Sequence, residues 1–165
     1  MMKRMLCFFL AVLLLTGTLQ GISVGAETET DPVSCKSLCG AALKATGGSG
    51  NLKYQSESAY DFGALSASAK KKVESISYIC DAKEVYSLCV MQAKTVSDAK
   101  SLLKQLKKYK KNNNKSSYLS DYSSAEQKVF KNAVCGRKDS FVWYIAMSPK
   151  KAANTKGQKA IKKKI

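Results

Sequence analysis

Residues 141–147 read Phe-Val-Trp-Tyr-Ile-Ala-Met and form the most hydrophobic stretch of the chain after its first 26 residues. Valine, isoleucine and aromatic residues are typical of β-strands, so the composition favours a strand here. A strand, however, needs a partner, and no second segment of the sequence is a convincing strand. We therefore interpret residues 141–147 as a short buried helix or an extended core segment, and this interpretation makes the predicted fold class all-α.

The segments before this stretch carry the start and stop signals of helices. Ser34 is a suitable N-cap, and two pairs, Asp81 with Glu84 and Ser123 with Glu126, match the capping-box spacing. The predicted helices cover residues 35–45, 66–80, about 81–92, 98–111 with Ser97 or Thr95 as its cap, and 124–135, where the following glycine ends the last of them. The sequence thus predicts one small all-α domain of about five helices over residues 27–148, followed by a basic and flexible tail over residues 149–165.

The first 26 residues have the pattern of a secretory signal peptide. Lys3 and Arg4 precede an uncharged apolar run over residues 5–15, and small side chains at residues 24–26 suit cleavage after residue 26 or, alternatively, after residue 25. A retained signal anchor is the competing interpretation, but eleven residues span roughly 16 Å of a hydrocarbon core of about 30 Å. We therefore predict a secreted, extracellular protein.

Cleavage there would leave 139 residues, and the loss of Lys3 and Arg4 would lower the net charge from +16 to +14. The chain contains no histidine, which excludes Ser-His and Cys-His nucleophile pairs and the commonest zinc ligand. Glu57 and Asp61 are four residues apart and are the candidates for a carboxylate pair of the kind that hydrolyses glycosides. Two acids at this spacing often occur by chance, so we expect no enzyme, no cofactor and no metal.

Five cysteines would remain after cleavage, because Cys7 leaves with the signal peptide. They are Cys35, Cys39, Cys80, Cys89 and Cys135. In an oxidising compartment we expect two disulfides, each worth about 2–4 kcal/mol, and one cysteine that is unpaired or joins two chains into a homodimer. The sequence leaves the connectivity open.

The predicted helix over residues 98–111 is basic and amphipathic. Five lysines fall within about 100° of its wheel, opposite three leucines. The lysines are Lys100, Lys104, Lys107, Lys108 and Lys111, and the leucines are Leu102, Leu103 and Leu106. Two interpretations are open: either the leucines belong to the core and the lysines face solvent, or the helix lies on an anionic membrane and inserts its leucines.

The tail adds further lysines, whereas Arg137 is the one arginine after residue 26. The tail lysines are Lys150, Lys151, Lys156, Lys159, Lys162, Lys163 and Lys164. Lysine is a hydrated point charge, so the pattern indicates diffuse attraction to an anionic membrane surface or a polyanion and no sequence-specific nucleic acid binding. Asn114-Lys115-Ser116 is in addition an N-glycosylation sequon.

Charge and export together predict a function class. We expect a secreted, cationic, non-enzymatic effector that engages anionic surfaces, with membrane perturbation of a host-defence, antimicrobial or toxin-like kind as its most concrete form. The alternative is a secreted ligand or signalling factor that binds a protein receptor through its folded surface, with its charge only tuning the encounter.

Overall fold

The computed structural model describes residues 33–48, 51–55 and 62–165. The predicted signal peptide and the Glu57–Asp61 pair lie outside the described residues. Within the described residues, no helix is both long and apolar enough to cross a membrane.

A five-stranded antiparallel sheet lies at the centre of the fold, so the all-α prediction is wrong. The strands are β1 (Lys53–Tyr54), β2 (Val73–Cys80), β3 (Ser87–Ala93), β4 (Val134–Lys138) and β5 (Phe141–Ala146). Their order across the sheet is β1-β2-β3-β5-β4. The helices are α1 (Cys35–Thr46), α2 (Ala67–Lys70), α3 (Val96–Asn113), α4 (Ser116–Leu119), α5 (Ser124–Lys131) and α6 (Lys151–Lys164).

The predicted helix over residues 66–80 is only the four-residue α2, after which the chain extends into β2. Isoleucine, valine and tyrosine pack well on a pleated surface, and the side chains of β2 alternate between the two faces of the sheet. The Asp81–Glu84 pattern closes the β2–β3 turn instead of starting a helix. The Asp81 Oδ1 accepts from the Tyr86 N–H at 3.1 Å, and its carbonyl accepts from the Glu84 N–H at 3.1 Å.

Strand β5, the stretch interpreted as a helix or core segment, has partners on both sides, β3 and β4. The Ser123–Glu126 capping box does start α5, but that helix ends at Lys131, and the chain then becomes β4. Gly136 is therefore a strand residue. A Cβ at this position would lie 2.5 Å from the Trp143 indole, so the glycine makes room for that ring.

Helices cover both faces of the sheet. α1 and α6 cover one face, where the fully buried Trp143 donates its Nε1–H to the Gln158 Oε1 at 3.2 Å. α3, together with the short α2, α4 and α5, covers the other face. Each face of the sheet thus has its own apolar core.

The predicted flexible tail is also corrected, because most of it forms α6, which packs on α1. Ile161 is fully buried, and Gly157 lets the two helices approach closely: a Cβ there would lie 2.7 Å from the Thr46 Cγ2. Asn154, also fully buried, accepts from the Met147 N–H at 3.0 Å and donates to the Asn132 carbonyl at 2.9 Å. These contacts fix a segment whose lysines had suggested mobility.

The disulfide prediction is wrong as well, since all five described cysteines are free thiols. The thiol of Cys39 on α1 donates to the Ser77 carbonyl of β2 at 3.3 Å, while Cys89 faces the other side of the sheet. Cys89 and Cys135 both pair in register with Tyr144, which lies between them. Two strand spacings, about 10 Å, exceed the reach of a disulfide.

Candidate anion-binding site

Helix α3 is held against the sheet by its apolar side. Thr95, one of the two caps that the sequence left open, caps its start by accepting from the Asp98 N–H at 3.0 Å. Leu102 and Leu106 are fully buried in the core, and Leu103 packs partly buried against the same cluster. All three leucines assigned to membrane insertion therefore contact the interior of the folded protein.

The lysines of α3 point away from that core. We call the five predicted residues the α3 lysine stripe: Lys100, Lys104, Lys107, Lys108 and Lys111, all of them exposed. The ion pairs of the described residues join Lys72 to Asp98 at 3.6 Å and Lys83 to Glu126 at 3.4 Å. No lysine of the stripe is paired with a described carboxylate, so the stripe is an uncompensated positive surface.

One end of the stripe opens onto a cavity of about 570 Å³ between the C-terminal end of α3 and the edge strand β4. We call it the cationic cavity, and it is lined by Lys107, Lys110, Lys111, Asn114, Lys115 and Cys135. The structure thus brings together four residues that the sequence analysis had named for different reasons. Sequence reasoning missed Lys110 and Lys115, although Lys115 continues the four-residue spacing that relates Lys107 to Lys111.

The protonation state of the Cys135 thiol depends on its burial and on the lysines of the cavity. Burial raises the pKa of Cys135 to about 11, although the positive charges of Lys110 and Lys107 lower this pKa. The thiol is therefore protonated at neutral pH and is a poor nucleophile there. Both lysines line the same cavity as the sulfur.

Asn114 shapes the wall of the cavity and ends the helix. Its Nδ2 donates to the Lys110 carbonyl at 3.0 Å, which identifies its Oδ1 as the acceptor atom. The Oδ1 is buried and has no hydrogen-bond partner among the described residues. The amide nitrogen that a glycan would modify is thus engaged in capping α3, and glycosylation at Asn114 stays a prediction.

Two tyrosines are direct neighbours of cavity residues: Tyr109 precedes Lys110 on α3, and Tyr144 pairs in register with Cys135. Tyr109 and Tyr144 make an edge-to-face contact with ring centroids 5.4 Å apart, and burial raises the pKa of both. Next to them, the Tyr122 hydroxyl donates to the Tyr118 hydroxyl at 3.2 Å, and Tyr118 is 36% exposed. Tyr144 belongs to the apolar core on this face of the sheet, and Tyr109 and Tyr122 pack against that core.

A second lysine surface lies on the opposite face of the sheet. Its members are Lys150 before α6 and, on α6, Lys151, Lys156, Lys159, Lys162, Lys163 and Lys164, all exposed. The Lys138 Nζ donates to the Lys162 carbonyl at 3.0 Å and so satisfies an acceptor near the end of α6. The predicted site residues consequently divide into two surfaces on opposite faces of the sheet.

Chemistry other than anion binding has less support in the described residues. They contain no group of three or more Cys, Asp or Glu side chains arranged to hold a metal ion. Burial raises the pKa of Cys39 to about 12 and that of the fully buried Cys89 well above its usual 9.0. Neither thiol is therefore activated for nucleophilic attack.

Comparison with known proteins returned no match, either to a protein-family model, to a curated protein or to a solved structure.

Proposed function

We propose that this chain is an exported, non-enzymatic protein that docks on anionic surfaces through the α3 lysine stripe and the cationic cavity. The observation that carries the proposal is the concentration of lysines without a carboxylate partner in the described residues. Seven lysines take part, namely the stripe residues together with Lys110 and Lys115.

The helix dipole accounts for only part of this pattern. Lys110 and Lys111 lie in the last turn of α3, where cations interact favourably with the helix end by about 0.3–1 kcal/mol. Lys100 and Lys104 lie too far from that end to benefit, and Lys115 follows the helix. Like charges crowded on one surface repel each other, and an anionic partner would relieve that repulsion.

We propose docking without insertion, because the leucines of α3 are already used in the core. Exposing Leu102 and Leu106 to reach a membrane would cost about 1.5–3 kcal/mol for each side chain before any contact with lipid is made. Membrane perturbation of the antimicrobial or toxin-like kind would require α3 to leave the sheet.

Vesicle binding tests the proposal. The mature protein should co-sediment with phosphatidylglycerol vesicles and not with phosphatidylcholine vesicles. Binding should weaken steeply between 50 and 500 mM salt, and the slope of the logarithm of the binding constant against the logarithm of the salt concentration should grow with the number of lysines engaged. A dye trapped in the vesicles should stay inside. Absence of binding to anionic vesicles at low salt would refute the proposal. Leakage of the dye would show that the protein inserts into the membrane and does not only dock on its surface.

Export needs its own measurement, because vesicle binding does not address it. The mass of the protein recovered from the medium of producing cells should correspond to a chain that begins at residue 27. The same spectrum, taken before and after alkylation, should show five free thiols. A product that keeps residues 1–26 inside the cell would contradict the proposed location.

Recognition of a protein receptor is the second candidate, and the pair of Tyr118 and Tyr122, which follows the cavity residue Lys115 along the chain, favours it. Tyr118 and Tyr122 pack on Phe130 with ring centroids 5.5 and 4.9 Å away, so Tyr118 is a rigid, partly exposed aromatic residue. Tyrosines of this kind often dominate protein interfaces. Saturable binding to cells that survives high salt and is lost in Tyr118→Ala would favour this function over surface docking.

A further inference from the structure

The α3 lysine stripe and the cationic cavity offer different kinds of binding. The stripe is convex and exposed, so an anion next to Lys100 or Lys104 stays largely hydrated and is screened by salt. In the cavity, lysines from the last two turns of α3 and Lys115 beyond it share one open depression with Cys135 of β4. A depression brings several of these groups to one ligand and can therefore select for its shape and charge.

We propose that the cationic cavity is a discrete binding site for a phosphate monoester carried on a small organic body. The inference rests on the proposed anion binding and names the chemical group that the cavity prefers. The ligand is either the headgroup of a lipid or a free phosphorylated compound, since both present the same monoester.

The number of lysines favours a multiply charged group. A phosphate monoester carries between 1.5 and 2 negative charges near pH 7, with a second pKa of about 6, whereas a phosphodiester carries one. Four lysines line the cavity, and an adjacent cluster of ammonium groups favours the dianion. A monoester should therefore bind more tightly than a diester of equal size.

The size and the walls of the cavity favour an organic body. Its volume of about 570 Å³ lies within the range of roughly 300–1,000 Å³ that is typical of small-molecule sites, and a bare phosphate ion would fill a minor part of it. The aliphatic stems of the lysines and the Cys135 sulfur provide apolar wall, because lysine keeps only its terminal ammonium group in water.

Cys135 provides a built-in reporter of occupancy. It is partly exposed in the cavity, whereas the other described cysteines are buried. A bound dianion would cover the thiol and neutralise Lys107 and Lys110, which favour its thiolate. Alkylation of Cys135 by the neutral reagent iodoacetamide should therefore slow when the cavity is filled, and peptide mass spectrometry identifies the modified residue.

The soluble probe is fructose 1,6-bisphosphate, and the diester control of nearly equal size is the same sugar with one methyl group added to each phosphate. Saturating fructose 1,6-bisphosphate should slow alkylation of Cys135 at least about fivefold and shift the amide NMR signals of the cavity residues, while the methylated control at the same concentration should have a clearly smaller effect on both. In the lipid arm, phosphatidic acid vesicles should slow alkylation more than phosphatidylglycerol vesicles of matched surface charge. Protection by the soluble probe alone identifies a free ligand, and protection by phosphatidic acid alone identifies a headgroup.

Two double variants of the same helix compare lysines that line the cavity with lysines of the stripe that lie outside it. Lys107→Gln with Lys110→Gln removes two charges that reach Cys135, and Lys100→Gln with Lys104→Gln removes two charges of α3 outside the cavity. The first variant should weaken binding of fructose 1,6-bisphosphate at least tenfold, as measured by NMR titration, and the second less than about twofold.

The outcomes distinguish this inference from the proposed function. If neither monoester probe protects Cys135 while anionic vesicles bind both double variants equally, the discrete site is refuted and diffuse docking stands. If fructose 1,6-bisphosphate binds the cavity and anionic vesicles do not bind at all, surface docking is refuted and the site stands. Equal effects of monoester and diester would overturn the preference for a monoester.

Discussion

Helices α3 and α6 are both rich in lysine and lie on opposite faces of one sheet, yet they are built differently. α3 packs through leucines and leaves a cavity open at its C-terminal end, where Asn114 and Cys135 meet its lysines. α6 packs through Gly157 and Ile161 close against α1, and its lysines all point outward. Positive charge along a helix therefore does not by itself make a site, because a site also requires a neighbouring element that lies close to the charge.

The leucines that hold α3 on the sheet should have the greatest influence on stability. Leu106→Ala should lower the free energy of unfolding by about 2–5 kcal/mol, because Leu106 is fully buried and the substitution leaves a cavity. Urea denaturation measures the change. Leu103→Ala, at a half-buried position of the same helix, is the matched control and should cost less. Equal costs for the two would contradict the placement of α3 on the sheet.

The buried thiols predict a second effect, a loss of stability at alkaline pH. Burial raises the pKa of Cys39 to about 12 and that of Cys135 to about 11, above the ordinary 9.0 of the unfolded chain. Above pH 9 the unfolded state therefore loses protons that the folded state keeps, and each thiol lowers the free energy of unfolding by roughly 1.4 kcal/mol per pH unit until its folded pKa is reached.

The contribution of the thiols is therefore fully present below about pH 9 and is lost as the pH rises through 11 and 12. Urea unfolding between pH 8 and pH 11 measures the slope. Cys39→Ala should reduce the slope by the contribution of one thiol. An unchanged slope would show that Cys39 ionises normally in the folded protein.

Close packing of α6 on α1 predicts a third effect. Gly157→Ala should destabilise the protein by about 1–3 kcal/mol, because the new Cβ would lie 2.7 Å from the Thr46 Cγ2 and 3.3 Å from the Ala42 carbonyl oxygen. Gly40→Ala on α1 is the control: an added Cβ there has no heavy atom within 4 Å, and the change should stabilise the helix by about 0.5–1 kcal/mol. Equal destabilisation by both would show that the close approach of α6 to α1 at Gly157 is not the cause.

How far the sequence predicts this fold depends on how local the signals are. The caps Ser34, Thr95 and Ser123 mark the starts of α1, α3 and α5, because capping is an interaction within one helical turn. β2, β3 and β5 were missed because helices cover both faces of the sheet. The sequences of β3 and β5 are therefore nearly continuous apolar runs without a clear alternation. β2 is polar near its start and apolar near its end, and the pairing of all three strands depends on distant segments.

The sequence did not predict α6 or the cavity, because both also depend on contacts between distant segments. Only three positions of α6 are buried, Asn154, Gly157 and Ile161, so its sequence resembles a solvated tail. Lys107, Lys111, Asn114 and Cys135 were each noticed, but for attraction, glycosylation or disulfide formation. Their meeting depends on β4 lying beside the end of α3, and no local pattern specifies that contact.

A fourth effect tests whether the two lysine surfaces are equivalent in binding. Lys107→Gln with Lys111→Gln should weaken binding to phosphatidylglycerol vesicles about tenfold, roughly 1.4 kcal/mol, because both residues belong to the stripe and to the cavity. Lys159→Gln with Lys163→Gln removes the same charge from α6 and should weaken binding about twofold or less. Co-sedimentation at 100 mM salt compares them. Equal losses would mean that net charge alone governs the interaction and that α3 has no special role.

The smallest effect concerns how the two helices begin. Thr95 caps α3, whereas Lys150 at the start of α6 makes no side-chain capping bond and places a positive charge at the positive end of the helix. Thr95→Ala should therefore lower the free energy of unfolding by about 1 kcal/mol, and Lys150→Ser should raise it by about 0.5–1 kcal/mol by supplying the missing cap. Thermal unfolding of the two variants measures both signs. If Lys150→Ser destabilises the protein, the start of α6 is held by contacts other than its cap, and the difference between the two lysine helices extends to their first turns.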